Sequence, residues 1–279
     1  MKLWLQNLIP KHALSRFLGK CADTPLGPLT RWSIRQFIAH YHVNMDETKI
    51  SDYQQFRTFN DFFTRELKPG VRTISPEKNV LVSPVDGVIS ECGNIQQDQL
   101  FQAKGMYFNL EDLCGGDKNI ALNFTNGSFL TAYLSPRDYH RFHLPLAGTL
   151  IEMIYVPGKL FSVNPESVKN VPGLFSKNER IICIFETAVG KMAFIAVGAL
   201  IVGSIATAWQ GIVAPQEKRV IKKWNYRDQP MTFPRGAEIG HFRLGSTVIL
   251  LFEQNKLSWD STVVAAGKSL QLGDVLARA

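Results

Sequence analysis

Residues 192–215 read MAFIAVGALIVGSIATAWQGIVAP, without a single charge. A helix of that length crosses a bilayer. Two glycines, Gly198 and Gly203, interrupt a run rich in Val and Ile, and glycine among β-branched residues marks buried strands joined by turns. The neighbouring sequence carries the same signature. RIICIFETAVGKMAFIAV (180–197) overlaps the stretch, GTLIEMIYVPG (148–158), IALNFTNGSFLTAYL (120–134) and VLVSPVDGVIS (80–90) precede it, and STVILLF (246–252) follows it. Each is a short β-type run bounded by turn residues, and Asn126-Gly127 predicts a hairpin turn. These runs predict a mainly antiparallel β core.

The amino-terminal part is of another kind. Leu3, Trp4, Leu5, Leu8, Ile9, Leu14, Phe17, Leu18, Trp32, Ile34, Phe37 and Ile38 recur at spacings of three and four, interrupted at Pro10 and Pro25 to Pro28. That predicts two or three amphipathic helices. A further short helix is expected in RTFNDFFTRELKPGVR (57–72), opened by Asn60 or Asp61 and closed by Pro69 and Gly70. The expected class is therefore α+β, with N-terminal amphipathic helices followed by the β core. The boundary is drawn between a helical membrane-associating region, 1–65, and a β-rich catalytic domain, 66–279.

At 279 residues and 45% hydrophobic content the chain can bury a substantial core. Cys21, Cys92, Cys114 and Cys183 form no CxxC pair, which argues against a zinc knuckle or disulfide framework and for a reducing compartment. The opening MKLWLQNLIPKH breaks too early for a secretory h-region. Net charge is +7, and residues 1–44 contribute six cations against Asp23 alone. A basic, aromatic, amphipathic segment suits an anionic membrane surface; a helical cap on the core fits the same pattern equally well. No nucleic-acid motif accompanies the charge.

Three places carry chemistry. Asp86 lies in SPVDGVIS, His140 and His143 in LSPRDYHRFHLP, and Ser246 in RLGSTVILLF. An HxxH pair on a helix shares one face and binds metal if a third ligand joins it, with Asp138 and Glu152 the nearby acids; on a strand the two rings point apart. Gly245 lacks a side chain, which leaves its carbonyl open to the hydroxyl of Ser246, the geometry of an N-to-O acyl shift.

LGST, PVDG and SPRDYHRFH together resemble the pyruvoyl-dependent phosphatidylserine decarboxylases of bacteria. TFNDFFTRELKPGVR, YVPGKLFSVN, NVPGLFSKNER and VGALIVGSI extend the resemblance in order along nearly the whole chain. It implies self-cleavage between Gly245 and Ser246 into a 1–245 β chain and a 246–279 α chain, Ser246 becoming the pyruvoyl cofactor. It implies His143 as general base, Asp86 bonded to the other ring nitrogen of His143, and His140 acting on the substrate. It also implies Ser162 as a headgroup donor, phosphatidylserine as substrate, a homodimer of processed units, and a peripheral place on the cytoplasmic face of the inner membrane. Because Asp86, His143 and Ser246 must meet on one side of any membrane, the resemblance favours buried strands for 192–215. Two other readings stay open: a metal-dependent hydrolase built on His140 and His143, and a non-enzymatic membrane-docking β module.

Overall fold

The computed structural model describes residues 11–199, 204–216, 218–243 and 246–278. Helices α1 (Lys11–Asp23) and α2 (Pro28–Tyr41) form the predicted amphipathic pair, and α3 (Phe59–Phe63) follows. Pro28 opens α2, and His42 ends it in a left-handed conformation, φ 55°, its N–H donating to Ile38 O. Thr58, rather than the expected Asn60 or Asp61, caps α3. Its hydroxyl accepts the Asp61 N–H while the Asp61 carboxylate accepts the Thr58 N–H, a reciprocal pair that outcompetes a start further along. Ile34, Val43, Phe56 and Phe62 make a small core between these helices and the loop that joins them.

The strands, in chain order, are β1 (Val80–Val82), β2 (Gly87–Asn94), β3 (Gln99–Ala103), β4 (Met106–Asn109), β5 (Ser128–Leu134), β6 (Arg141–His143), β7 (Gly148–Val156), β8 (Arg180–Thr187), β9 (Gly190–Val197), β10 (Ile205–Thr207), β11 (Gly211–Ala214), β12 (Lys222–Asn225), β13 (Met231–Phe233), β14 (Glu238–Phe242), β15 (Ser246–Phe252), β16 (Ser258–Trp259), β17 (Ser269–Leu270) and β18 (Val275–Arg278). Every ladder among them is antiparallel. The main sheet runs β12-β7-β8-β9-β15-β5-β2-β17, with β13 also on β7; a second runs β11-β10-β14-β6 and a third β1-β18-β16.

The apolar runs are continuous because both faces of the main sheet are covered. Ile181, Cys183, Phe185, Phe194, Val248 and Leu250 enter one core, shared with Phe142, Ile239 and Phe242 of the second sheet. Ile182, Ile184, Ile195, Ile249 and Leu251 enter the other, beneath Leu110, Leu113, Phe124 and Phe175.

The uncharged stretch divides accordingly. Met192 to Val197 are fully buried in the centre of the main sheet, residues 205–207 and 211–214 belong to the second sheet, and residues 200–203 lie outside the described residues. No described helix is long and apolar enough to cross a membrane.

Asn126-Gly127 does not join two strands. Asp117 caps a helical turn over Lys118–Leu122 by accepting the Ile120 N–H, and Ile120, Ala121 and Phe124 are buried in the second core. Helical burial thus overrides the strand reading of IALNF. Asn126 does take the left-handed conformation, φ 54°, while Gly127 passes so near Phe252 that a Cβ would lie 2.0 Å from its carbonyl oxygen.

Arg180 ties this layer together. Its guanidinium is buried and donates to the carbonyls of Leu113 (2.8 Å), Ser176 (2.7 Å), Asn178 (2.8 Å) and Asp112. Burial lowers its pKa to about 10, so it stays charged at neutral pH. Replacement by leucine strands four carbonyls against an apolar group. Arg180→Leu should lower stability by roughly 3–5 kcal/mol, whereas Lys49→Ala, which breaks an exposed ion pair with Glu66, should cost under about 1 kcal/mol. Midpoints of urea unfolding check both; equal shifts would discount the Arg180 network.

Candidate active site

Ser246 is the first residue of β15, and its backbone is in register with Leu134, the last residue of β5. Tyr133 pairs with Val88, which brings Gly87 beside Leu134 so closely that a Cβ on Gly87 would lie 2.3 Å from Tyr133 O. On the other side Thr247 pairs with Val197, and Val197 with Arg180. One edge of the sheet therefore carries, in sequence across the strands, Glu179, Gly198, Ser246, Leu134 and Gly87.

Alternation puts the Ser246 side chain on the face of Val248 and Leu250. The residue is fully buried and its Oγ has no hydrogen-bond partner among the described residues. A buried unpaired hydroxyl costs about 1–3 kcal/mol. Gly245, the other half of the expected cleavage site, lies outside the described residues.

His140 is tied to the same place. Its carbonyl accepts the Phe242 N–H (2.9 Å), and its Nε2–H donates to Ser135 O (3.0 Å), next to Leu134. That bond leaves the lone pair on Nδ1, which is buried and unpartnered. The ring stacks on Phe63 at 4.1 Å. Burial and the nearby Arg65 guanidinium push its pKa down to about 3. Arg65 is itself buried, spanning from α3 to the carbonyls of Arg137 (2.8 Å) and Asp138 (3.1 Å), with Nε and one terminal nitrogen unpaired.

His143 points elsewhere, as expected of an i, i+3 pair at a strand. Its Nδ1–H donates to Gly236 O (2.9 Å), so Nε2 accepts from the Tyr139 hydroxyl (3.2 Å). Burial lowers its pKa, partly offset by the Gly236 bond and by Glu238. The imidazole is thus a neutral base at neutral pH. It lines a cleft of about 330 Å³ with Arg72, Tyr139, Gly236, Glu238 and Leu272. With both imidazoles bonded to protein groups on different sides of the strand, the pair does not form the ligand set a metal-dependent hydrolase needs. Nor do three or more His, Cys, Asp or Glu gather as metal ligands among the described residues.

Asp86 is buried beside this cleft but does not bond the His143 ring. Its carboxylate is gripped by Arg72, through Nε (3.0 Å) and a terminal nitrogen (2.6 Å), and accepts the Leu272 N–H (2.8 Å). Arg72 also bonds Glu47 (2.8 Å), and the two carboxylates raise its pKa. The guanidinium fork matches a carboxylate better than an imidazole N–H does, so Asp86 pairs with Arg72 and not with the His143 ring that the resemblance implies. Asp86 acts on His143 only through its charge, favouring the protonated ring.

Ser162 is half-buried, and its Oγ accepts the Asn164 N–H at 3.4 Å. Its loop is fastened by Asn178, which bonds both backbone groups of Phe161 and the carbonyl of Gly198, neighbour of Ser246. Leu160 and Phe161 pack inward. Sequence reasoning passed over Arg72, Tyr139, Arg65 and Asn178. All four stand inside RTFNDFFTRELKPGVR, SPRDYHRFH or NVPGLFSKNER, but nothing in their spacing states what they touch.

The family model for phosphatidylserine decarboxylase matches residues 59–278, and a second, PSD, matches residues 1–42. The phosphatidylserine decarboxylase proenzyme of Marinobacter nauticus is 50% identical over 275 residues, covering 98% of this chain and 96% of that protein. That of Vibrio campbellii is 50% identical over 266 residues (94% and 93%), and that of Alteromonas mediterranea 46% over 280 residues (99% and 86%). With a match over most of its length and relatives this close, the chain belongs to the phosphatidylserine decarboxylase family.

Proposed function

We propose that this chain converts phosphatidylserine to phosphatidylethanolamine and CO2, using a pyruvoyl group that it makes from its own Ser246. The observation that carries the reading is the Ser246 hydroxyl, fully buried and unpartnered at the head of β15, in a chain half identical to proteins named as proenzymes. The buried, unpartnered Ser246 Oγ fits a pyruvoyl group, whose formation breaks no hydrogen bond of that oxygen, and Gly198, which follows the Val197 paired with Thr247, brings no side chain of its own.

Self-cleavage starts with transfer of the Ser246 hydroxyl proton to a base. His140, with a pKa near 3, is too weak; the role falls to His143, whose Nε2 is unprotonated and has to release the Tyr139 hydroxyl to take the Ser246 proton. Oγ bonds the Gly245 carbonyl carbon and the peptide nitrogen leaves, forming an ester. Loss of the Ser246 α-proton expels Gly245 as a carboxylate, and the new terminus tautomerises, takes up water and releases ammonia. Arg72 holds the Asp86 carboxylate in place, and the Asp86 charge favours the protonated form of His143.

A pyruvoyl group at position 246 supplies an electron sink for decarboxylation of an amino acid headgroup. His140 is the residue that hands the proton back in this reading, its Nδ1 being unpartnered and its Nε2–H bonded to Ser135 O, next to the Leu134 that pairs with Ser246. Ser162 is a headgroup donor in this reading. The helical region 1–65 serves as a membrane-associating part and 66–279 as the catalytic one, supported by Phe17, Leu29 and Trp32, exposed by 64%, 55% and 59%. A homodimer of processed units, peripheral on the cytoplasmic face of the inner membrane, completes the proposal.

On a denaturing gel the wild type should give two fragments, 1–245 and 246–279, and Ser246→Ala one band of 31.4 kDa. An uncut wild-type chain that releases CO2 would refute the reading. His143→Ala should stay uncut, while His140→Ala should be cut yet lose CO2 release by about 100-fold or more; reversal of the two phenotypes would exchange their roles. Since the His143 pKa is lowered from 6.5, acidification removes the neutral base only below that value. The rate of precursor cleavage should hold from pH 8 to 6.5 and fall beneath it. Asp86→Asn leaves the Arg72 charge facing the cleft and should slow cleavage at every pH.

A further inference from the structure

At the outer end of the main sheet, β12 pairs with β7 so that Lys222 faces Tyr155, next to the last residue of β7. The residues before Lys222 therefore project past the edge that carries Glu179, Gly198 and Ser246. They read Lys218, Arg219, Val220, Ile221, and every one is exposed, Val220 by 60% and Ile221 by 47%. Two adjacent branched apolar residues in water have no folding benefit. They are framed by Lys218, Arg219 and Lys222, the last resting over the Trp224 ring at 4.6 Å, while Arg219 braces the segment by donating to Gly158 O (2.6 Å) in the loop that leads to Ser162.

A second apolar and basic element stands at the same edge. Helix α1 is anchored there by Asp23, whose carboxylate bonds Arg243, three residues before Ser246, and α1 and α2 expose Phe17, Leu29 and Trp32. Between β15 and β12 lie four strand spacings, about 19 Å. Ser246 thus sits at an edge with cationic and apolar side chains on either hand, the arrangement that suits a flat anionic surface.

We propose that residues 218–222 form a second membrane-docking lip, which inserts Val220 and Ile221 into an anionic bilayer and, with α1 and α2, turns the Ser246 edge toward the lipid. The choice of a bilayer as partner rests on the phospholipid reading of the site and on the charge of the lip.

The test is hydrogen–deuterium exchange of the full chain with and without vesicles of phosphatidylglycerol and phosphatidylcholine, which contain no phosphatidylserine. Peptides covering 218–224 should exchange more slowly on vesicles. Val220→Ser with Ile221→Ser should weaken vesicle binding by about tenfold, and Lys218→Glu with Lys222→Glu by more, the latter loss shrinking at high salt. Self-cleavage and the thermal midpoint should be unchanged in both, and so should turnover of a monomeric short-chain phosphatidylserine. Protection of α1 and α2 on vesicles without protection of 218–224 would overturn the proposal. So would protection of 218–224 that depends on protein concentration and needs no vesicle, which would make the lip a contact between two copies. If the lip is protected on vesicles but no phosphatidylserine is decarboxylated, the proposed function fails and the docking surface stands.

Discussion

The register that seats Ser246 between β5 and β9, as the first residue of its strand, is the constraint on which the site depends. From Thr247 onward the chain is locked into a ladder on both sides, with Val197 and Tyr133 as its neighbours. The same ladders hold residues 246–279 in place, because β15 lies inside the main sheet and β17 and β18 close on β2 and β1. Cutting the chain before Ser246 removes one covalent link and none of these hydrogen bonds. A strand with only one paired edge would hold the fragment with half the ladder.

Burial at that edge sets the chemistry. Ser246, His140 and Arg65 each keep a buried polar atom without a partner, and groups of this kind destabilise a fold by amounts that two apolar cores must offset. Two of them, His140 and Arg65, meet where Phe63 covers the imidazole and Arg65 reaches from just beyond α3 to the carbonyls of Arg137 and Asp138. The helical region is therefore part of the site's wall as well as the bearer of its exposed apolar residues. Asp86 shows the opposite arrangement: all its hydrogen-bonding capacity is spent on Arg72 and a backbone N–H.

Much of this was legible in the sequence, for reasons that differ from place to place. The β runs could be read because both sheet faces are buried, which makes each strand a continuous apolar segment, and Gly198 and Gly203 told strands from a spanning helix. IALNF misled because a short helical turn and a strand bury the same residues, and only the Asp117 cap separates them. Ser246, His140 and His143 were visible as chemical types in a known order. The partner of Asp86 was not: hydrogen bonding between residues 14 apart, across a turn, leaves no periodic trace, and Arg72 had no feature to separate it from the other 30 cations of the chain.

The two histidines illustrate how local geometry divides labour between like residues. They are three positions apart, and β6 turns their rings to opposite sides, so one meets Phe63 and Ser135 and the other Tyr139 and Gly236. Each donates to a carbonyl through a different nitrogen, which selects opposite tautomers and leaves Nδ1 unpartnered on His140 and Nε2 as the acceptor of the Tyr139 hydroxyl on His143. The deeper ring loses its basicity to burial first and to the Arg65 charge second; the other keeps more of it beside Glu238 and within reach of the Asp86 field. An anionic group beside Arg65 would offset only the smaller of these two causes and leave the burial of His140 in force. One ring is thus held neutral by burial that nothing around it opposes strongly, and the other by burial that Gly236, Glu238 and Asp86 partly offset, so two like residues three positions apart differ in basicity.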